Sequence, residues 1–221
     1  MDTEFWIERW QKQEIGFHQS EINGYLKKYW DQARALHPGS QVFVPLCGKS
    51  RDMLWLKEQG HEVLGIELSE VAVQGFFAEN QLDFEHSEHP HFKPYISENI
   101  ELLQGDFFSL LTDDLAASHL VYDRASLVAL PPEMRKQYVA HLISILPEDV
   151  SILLVIMEYP QNEMIGPPFS VPEAEVIQLF QNDFNIEKLA SFNIYAENPR
   201  FRERGLSSLQ EKVFHLTSKK E

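Results

Sequence analysis

Gln41-Val42-Phe43-Val44-Pro45-Leu46-Cys47-Gly48-Lys49-Ser50 begins as an apolar, β-branched run, stops at Pro45 and turns through a lone glycine. Such a run forms a strand, and Gly48 allows the tight turn that follows it. Amphipathic spacing from Asp52 to Gln59 predicts a helix broken by Gly60, and a second strand covers Glu62 to Ile66. Glu67 stands at its end. Strand, turn, helix, strand and acid make the opening unit of an α/β sheet that takes a nucleotide or a nucleoside.

Working outward, Trp6 and Trp10 share one face of a predicted helix over 4–12, and Gly16-Phe17-His18 breaks it. A longer helix runs from Ser20 through Leu36 to stop before Pro38-Gly39. Beyond Glu67, Ser69 caps a helix carrying Val71, Val73, Phe76 and Phe77. Residues 83–95 form a polar, His- and Pro-rich surface excursion. Short strands are expected at 95–97, 100–103 and 119–122, the last leading into Asp123-Arg124. Pro131-Pro132 opens a helix with Met134, Tyr138, Leu142 and Ile145. Ser151 to Met157, the most hydrophobic run, reads as a central strand buried on both faces. Pro172 starts a helix to Phe180, and two β-like stretches, 186–196 and 212–216, flank the basic segment Arg200 to Arg204. Alternating strands and helices with a closing β-pair predict a mostly parallel sheet with an antiparallel edge, in one domain over 1–221.

Composition narrows the partners. A formal charge of −15 argues against a nucleic-acid backbone as ligand, which needs a basic face. No apolar run approaches a membrane span, no amino-terminal signal segment is expected, and a single cysteine suits a reducing compartment. The expectation is a cytoplasmic monomer that binds a small molecule.

Three ligands compete for the first turn. A dinucleotide wants three glycines, and only Gly48 is present. A triphosphate wants Gly-x-x-x-x-Gly-Lys-Ser, but position 43 is Phe, inside the strand, so the loop is too short to wrap phosphates. S-Adenosylmethionine, a nucleoside with a sulfonium and no phosphate, needs one small residue for close approach and a carboxylate for its ribose hydroxyls. Glu67, at the end of the second strand, is either that carboxylate or a solvated strand end. Asp106 either accepts from an adenine amino group or caps a turn at Phe107-Phe108, whose rings flank a purine or belong to the core. His86, His89 and His91 lack the frame of a metal site and read as a solvated loop, and Cys47 as a packing thiol.

Trp6-x-x-x-Trp10, Gly16-Phe17-His18-Gln19, Phe43 to Ser50, Gly60 to Glu70, Tyr122-Asp123-Arg124-Ala125-Ser126-Leu127 and Gly166-Pro167-Pro168-Phe169-Ser170-Val171-Pro172 together resemble the thiopurine S-methyltransferase family, in its bacterial form. The match spans nearly the whole chain, and the Pro-Leu-Cys-Gly-Lys turn is unusual among methyltransferases. The resemblance implies a Rossmann-like class I methyltransferase sandwich with a seven-stranded, mostly parallel sheet, an antiparallel edge and helices on both faces. Residues 1–38 would be a helical lid. It implies S-adenosylmethionine contacts at Trp10, Leu46, Glu67 and Arg124, with Phe17, Asp106 and Phe107 as further candidates. Trp6 and Trp10 could instead staple the first helix to the core, and Arg124 could pair with Asp123 or Glu158. The implied reaction is methyl transfer to an aromatic or heterocyclic thiol. Selenium or tellurium compounds are the alternative acceptors, and a non-catalytic cofactor sensor is the alternative role. No general base is required for a thiolate. Arg124, Arg200, Arg202 or Arg204 could favour an anionic acceptor.

Overall fold

The computed structural model describes residues 3–12, 14 and 18–219. In chain order the elements are α1 (Thr3–Gln11), α2 (Gly24–Ala33), β1 (Val42–Val44), α3 (Asp52–Glu58), β2 (Val63–Glu67), α4 (Glu70–Glu79), β3 (Lys93–Ser97) and β4 (Ile100–Gln104). After these come β5 (Leu120–Arg124), α5 (Ser126–Ala129), α6 (Pro132–Ile145), β6 (Ser151–Glu158), α7 (Glu173–Phe180), β7 (Phe184–Asn193), α8 (Pro199–Glu203) and β8 (Gln210–Ser218).

The strands build one eight-stranded sheet in the order β3-β4-β2-β1-β5-β6-β8-β7. β4, β2, β1, β5 and β6 run parallel. β3 pairs antiparallel with β4 at one edge, while β8 and β7 continue antiparallel from β6 at the other. The sheet therefore has eight strands rather than seven, and antiparallel edges on both sides. The β3–β4 edge, whose strands were expected at 95–97 and 100–103, is a hairpin through Glu98-Asn99, where Glu98 takes a left-handed φ of 48°.

Alternation along the strands explains the layers. Phe43, Leu64, Ile66, Ile152, Leu154 and Ile156 point to one face, where α6 and α7 supply Tyr138, Leu142, Val176 and Phe180. Val42, Val44, Val63, Leu153 and Val155 point to the other, against Leu26, Trp30, Met53, Phe76 and Phe77 of α2, α3 and α4. A parallel sheet covered on both faces has no polar side to show, which is why its strands read as continuous apolar runs.

Helix starts follow the local chemistry. The Asn23 side chain accepts from the backbone N–H groups of Tyr25 and Leu26, so α2 begins at Gly24 rather than Ser20. It ends at Ala33 in a 3₁₀ turn, Arg34–Leu36. Ser69 caps α4, as its position before an apolar periodic run predicts. Lys49 and Ser50 lie in the turn ahead of α3.

Buried polar groups tie the layers together. Asp52, 2% exposed, accepts from the Asn23 N–H at 2.7 Å and from the Tyr122 hydroxyl at 2.9 Å, joining α2, α3 and β5. His61 is a satisfied core histidine: Nε2 accepts from Trp30 Nε1 at 3.1 Å, and Nδ1 lies 2.9 Å from the Ser40 carbonyl. The chain reverses its winding direction between β1 and β5, so a crevice opens where these strands end.

Candidate functional site

A cavity of about 780 Å³ occupies that crevice. Leu46 and Gly48 reach it from the turn after β1, Glu67 from the end of β2, Asp106 and Phe107 from beyond β4, and Arg124 from the end of β5. Trp10 of α1 closes one side. Six of the seven residues singled out in the sequence thus line a single cavity. The seventh, Phe17, lies outside the described residues.

Glu67 is 7% exposed. Its Oε2 accepts from the Gly48 N–H at 2.9 Å and its Oε1 from the Ser69 N–H at 2.8 Å. Burial pushes its pKa up to about 7, against the pull of these backbone donors. An ionised carboxylate offers about four lone-pair directions, so one on each oxygen remains for a ligand. Two adjacent hydroxyls match that demand. The alternative of a solvated strand end does not describe a side chain this buried.

The two loops that floor the cavity are held in uncommon backbone conformations. Leu46 has φ 45° and Ala125 φ 71°, left-handed values that non-glycine residues rarely adopt. The Ser126 hydroxyl donates to the Pro45 carbonyl at 3.1 Å and locks the two turns together. Such strain persists where surrounding contacts over-determine it, and it clusters at ligand sites. Beside it, Asp123 accepts from the Tyr138 hydroxyl at 2.7 Å, and burial pushes its pKa up to about 6. Glu158 accepts from Lys212. Tyr138 and Lys212 thus hold one oxygen of each carboxylate that could have paired with Arg124, and the guanidinium lines the cavity.

Trp10 is 5% exposed, and a Cβ at Gly48 would lie 3.0 Å from its ring. Gly48, at φ 54°, thus lets α1 pack onto the first turn. Trp6 also lines the cavity and stands edge-on to Phe5. Asp106 caps a short 3₁₀ turn by accepting from the Phe108 N–H at 3.0 Å. Phe107 is 3% exposed and packs against Tyr138, whereas Phe108 is 40% exposed at the cavity. The pair divides between core and ligand face. From the 166–169 loop, Pro167 and Pro168 reach the cavity.

Sequence reasoning missed the far wall. Tyr25 of α2 stacks on Phe192 of β7 at 4.9 Å, and Glu211 of β8 is the cross-strand partner of Phe192. All three line the cavity. Burial pushes the Glu211 carboxyl up, while Tyr25, Arg124 and Arg200 favour its charged form. The β-like stretch at 212–216 was the available signal, but it does not say that β8 crosses behind a cavity. Of the four candidate arginines, Arg124, Arg200 and Arg204 line it, whereas Arg202 stacks over the Tyr195 ring at 5.9 Å. Cys47 is buried, its thiol pushed up by burial and by Glu67, and its sulfur fills space beside Gly65. His86 is held by the Pro94 carbonyl and His89 by Asp114.

A family model described as Thiopurine S-methyltransferase (TPMT) matches residues 1–219. The chain belongs to the thiopurine S-methyltransferase family. It is 53% identical to the thiopurine S-methyltransferase of Nitrosospira multiformis over 219 residues, covering 99% of both chains. It is 48% identical to the one from Pseudomonas paraeruginosa over 216 residues, covering 98% of this chain and 99% of that one. Among solved structures it resembles Burkholderia thailandensis 1,6-didemethyltoxoflavin-N1-methyltransferase, which holds 1,6-didemethyltoxoflavin and S-adenosylhomocysteine. There the TM-score is 0.64 at 16% identity, over 98% of this chain and 86% of that one. A Chlamydomonas reinhardtii arsenic(III) S-adenosylmethionine methyltransferase aligns with a TM-score of 0.55 at 14% identity, over 80% and 63% of the two chains. At such identities the likeness is one of fold.

Proposed function

We propose that this chain is an S-adenosylmethionine-dependent methyltransferase acting on the sulfur of aromatic or heterocyclic thiols. The observation that carries the reading is Glu67, whose buried carboxylate keeps one lone-pair direction per oxygen beside a turn too short for phosphates. A nucleoside diol fits that acceptor. When bound, the cofactor supplies an electrophilic methyl on a sulfonium.

The chain's own residues provide positioning. Glu67 would hold the ribose, and Leu46 and Gly48 would line the amino-acid end. The rings of Trp10 and Phe108, which line the same cavity, would pack against the cofactor, with Phe107 supporting them from the core. A ring over a sulfonium contributes roughly 0.5–2 kcal/mol. Arg124 and Arg200 favour a thiolate, and α1 closes over the cavity as a lid that excludes water. By contrast α2, packed on the sheet through Leu26, Trp30 and Ala33, is part of the covering layer and not of the lid expected over 1–38. Rate then comes from alignment of donor and acceptor and from desolvation, with no enzyme nucleophile.

The cavity runs on past Glu67 to Arg200 and Glu211, which leaves room for a second molecule and favours an enzyme over a sensor. No helix among the described residues is long and apolar enough to cross a membrane. The net charge of −15 supports a small-molecule acceptor over nucleic acid, and the single buried cysteine supports a cytoplasmic setting.

Calorimetry with S-adenosylhomocysteine, followed by methyl-transfer assays on aryl thiols, heterocyclic thiols and selenite, tests the proposal. Tight binding with turnover of thiols is expected. Binding without turnover of any acceptor would favour the sensor reading, and turnover of selenite alone the metalloid one.

A further inference from the structure

At the amino ends of the parallel strands, away from the cavity, three side chains distant in sequence converge. His37 follows the 3₁₀ turn after α2, His119 immediately precedes β5, and Asp149 precedes β6. One nitrogen of each imidazole and one carboxylate oxygen lie within 4.8 Å of one another. The two rings are stacked at 5.4 Å and 26°. Among the described residues no other group of three such side chains converges this closely.

Two features set the cluster apart from a chance surface grouping. The His37 side chain is only 10% exposed, and its Nε2 is fully buried with no hydrogen-bond partner, although Asp149 Oδ1 lies 3.4 Å away. A buried polar atom left unpaired is uncommon, and a bound ion is one of the partners that satisfies it. His119 is also oriented: its Nδ1 lies 2.8 Å from the Asp149 backbone carbonyl. A carbonyl only accepts, so Nδ1 carries the proton and Nε2 keeps the lone pair. That outer hydrogen bond is the arrangement that fixes a metal-ligating histidine.

We propose that His37, His119 and Asp149 bind a divalent transition-metal ion of the zinc type. Two neutral imidazoles and a carboxylate suit zinc, cobalt and nickel better than calcium or magnesium, which prefer oxygen ligands. Asp149 is 71% exposed, so the site opens to solvent, and water completes the coordination. About 16 Å of extended chain separates His119 from Arg124 at the cavity end of β5. The ion is therefore a clamp and no part of the chemistry. It ties the segment leaving α2 to the starts of β5 and β6. A simple His37–Asp149 ion pair is the competing account, and it would bind no metal.

The test is a titration of metal-free protein with Zn²⁺ by calorimetry and with Co²⁺ by visible absorption. Wild type is expected to take one ion per chain, with a rise in thermal midpoint. Asp149→Asn and His119→Gln should each weaken binding by at least about tenfold and abolish the rise. Asp149→Asn changes an exposed side chain, so the test survives if a histidine variant fails to fold. No binding at millimolar ion, or undiminished binding in both variants, overturns the site. The second outcome would move the ion elsewhere, such as the His86–His91 loop.

Discussion

The Gly48 N–H donates to Oε2 of Glu67 over 2.9 Å, so the first turn and the acid nineteen residues later form one hydrogen-bonded unit. The turn orients the carboxylate, and the carboxylate satisfies a backbone donor that would otherwise be buried unpaired. Glu67→Ala should therefore do two kinds of damage. It removes both ribose acceptors, each worth about 1.5–3 kcal/mol as a charged partner, and it orphans the Gly48 and Ser69 amides. Affinity for S-adenosylhomocysteine, measured by calorimetry, is expected to fall by at least about a hundredfold. Equal affinity in variant and wild type would rule out the ribose role.

The raised pKa of Glu67, about 7, makes cofactor binding pH-dependent. In the free protein the group is largely protonated below pH 7. Hydrogen bonds from ribose hydroxyls favour the carboxylate, so binding there expels a proton. Affinity should be about tenfold weaker at pH 6 than at pH 8, with proton release read from the binding enthalpy in buffers of different ionisation enthalpy. Glu67→Gln should flatten the profile. A wild-type enthalpy independent of buffer at pH 6.5 would discard the linkage.

Gly48→Ala meets a strained backbone and the Trp10 ring at once. A non-glycine residue in the left-handed region costs about 1–2 kcal/mol, and the added methyl must push Trp10 away. A lower thermal midpoint and a shifted tryptophan emission are expected. Unaltered emission would mean that Trp10 does not rest on the turn.

Arg124 and Glu211 should report on the acceptor more than on the cofactor. Arg124→Lys keeps the charge and loses the planar fork, and a fall in kcat/KM for anionic thiols of about tenfold or more is expected. Glu211→Gln removes a negative group from beside Arg124 and Arg200, so KM for such thiols should drop while cofactor affinity holds. Parallel changes in cofactor affinity would place these residues at the other end of the cavity.

Arg135 is fully buried, donating through Nε to the Leu130 carbonyl and through Nη1 to Glu175 at 2.6 Å. Glu175→Ala strands that guanidinium. The expected cost is about 3 kcal/mol, at the low end for a broken buried pair because Glu175 keeps 21% exposure. Denaturant unfolding measures it, and a change within error would show that solvent reaches Arg135.

Much of the fold was legible because short-range rules control it. Ser69 caps α4, Pro131-Pro132 opens α6 and the Ser151–Met157 run fills a doubly covered strand, each for reasons contained in a few residues. Boundaries were less legible. The start of α2 depends on Asn23, whose N–H is itself held by Asp52 across 29 positions.

The sequence by itself determined the βαβ opening, the acid after its second strand and the absence of a phosphate-wrapping loop, because spacing and glycine count govern these locally. Only the tertiary structure decided that Glu67 is buried with two lone-pair directions left, that Gly48 makes room for Trp10 and not only for a ligand, and that Tyr25, Phe192 and Glu211 form the far wall. The same holds for His37, His119 and Asp149. These relationships join strands and helices distant along the chain, and long-range pairing, unlike periodicity, leaves no mark in a single sequence.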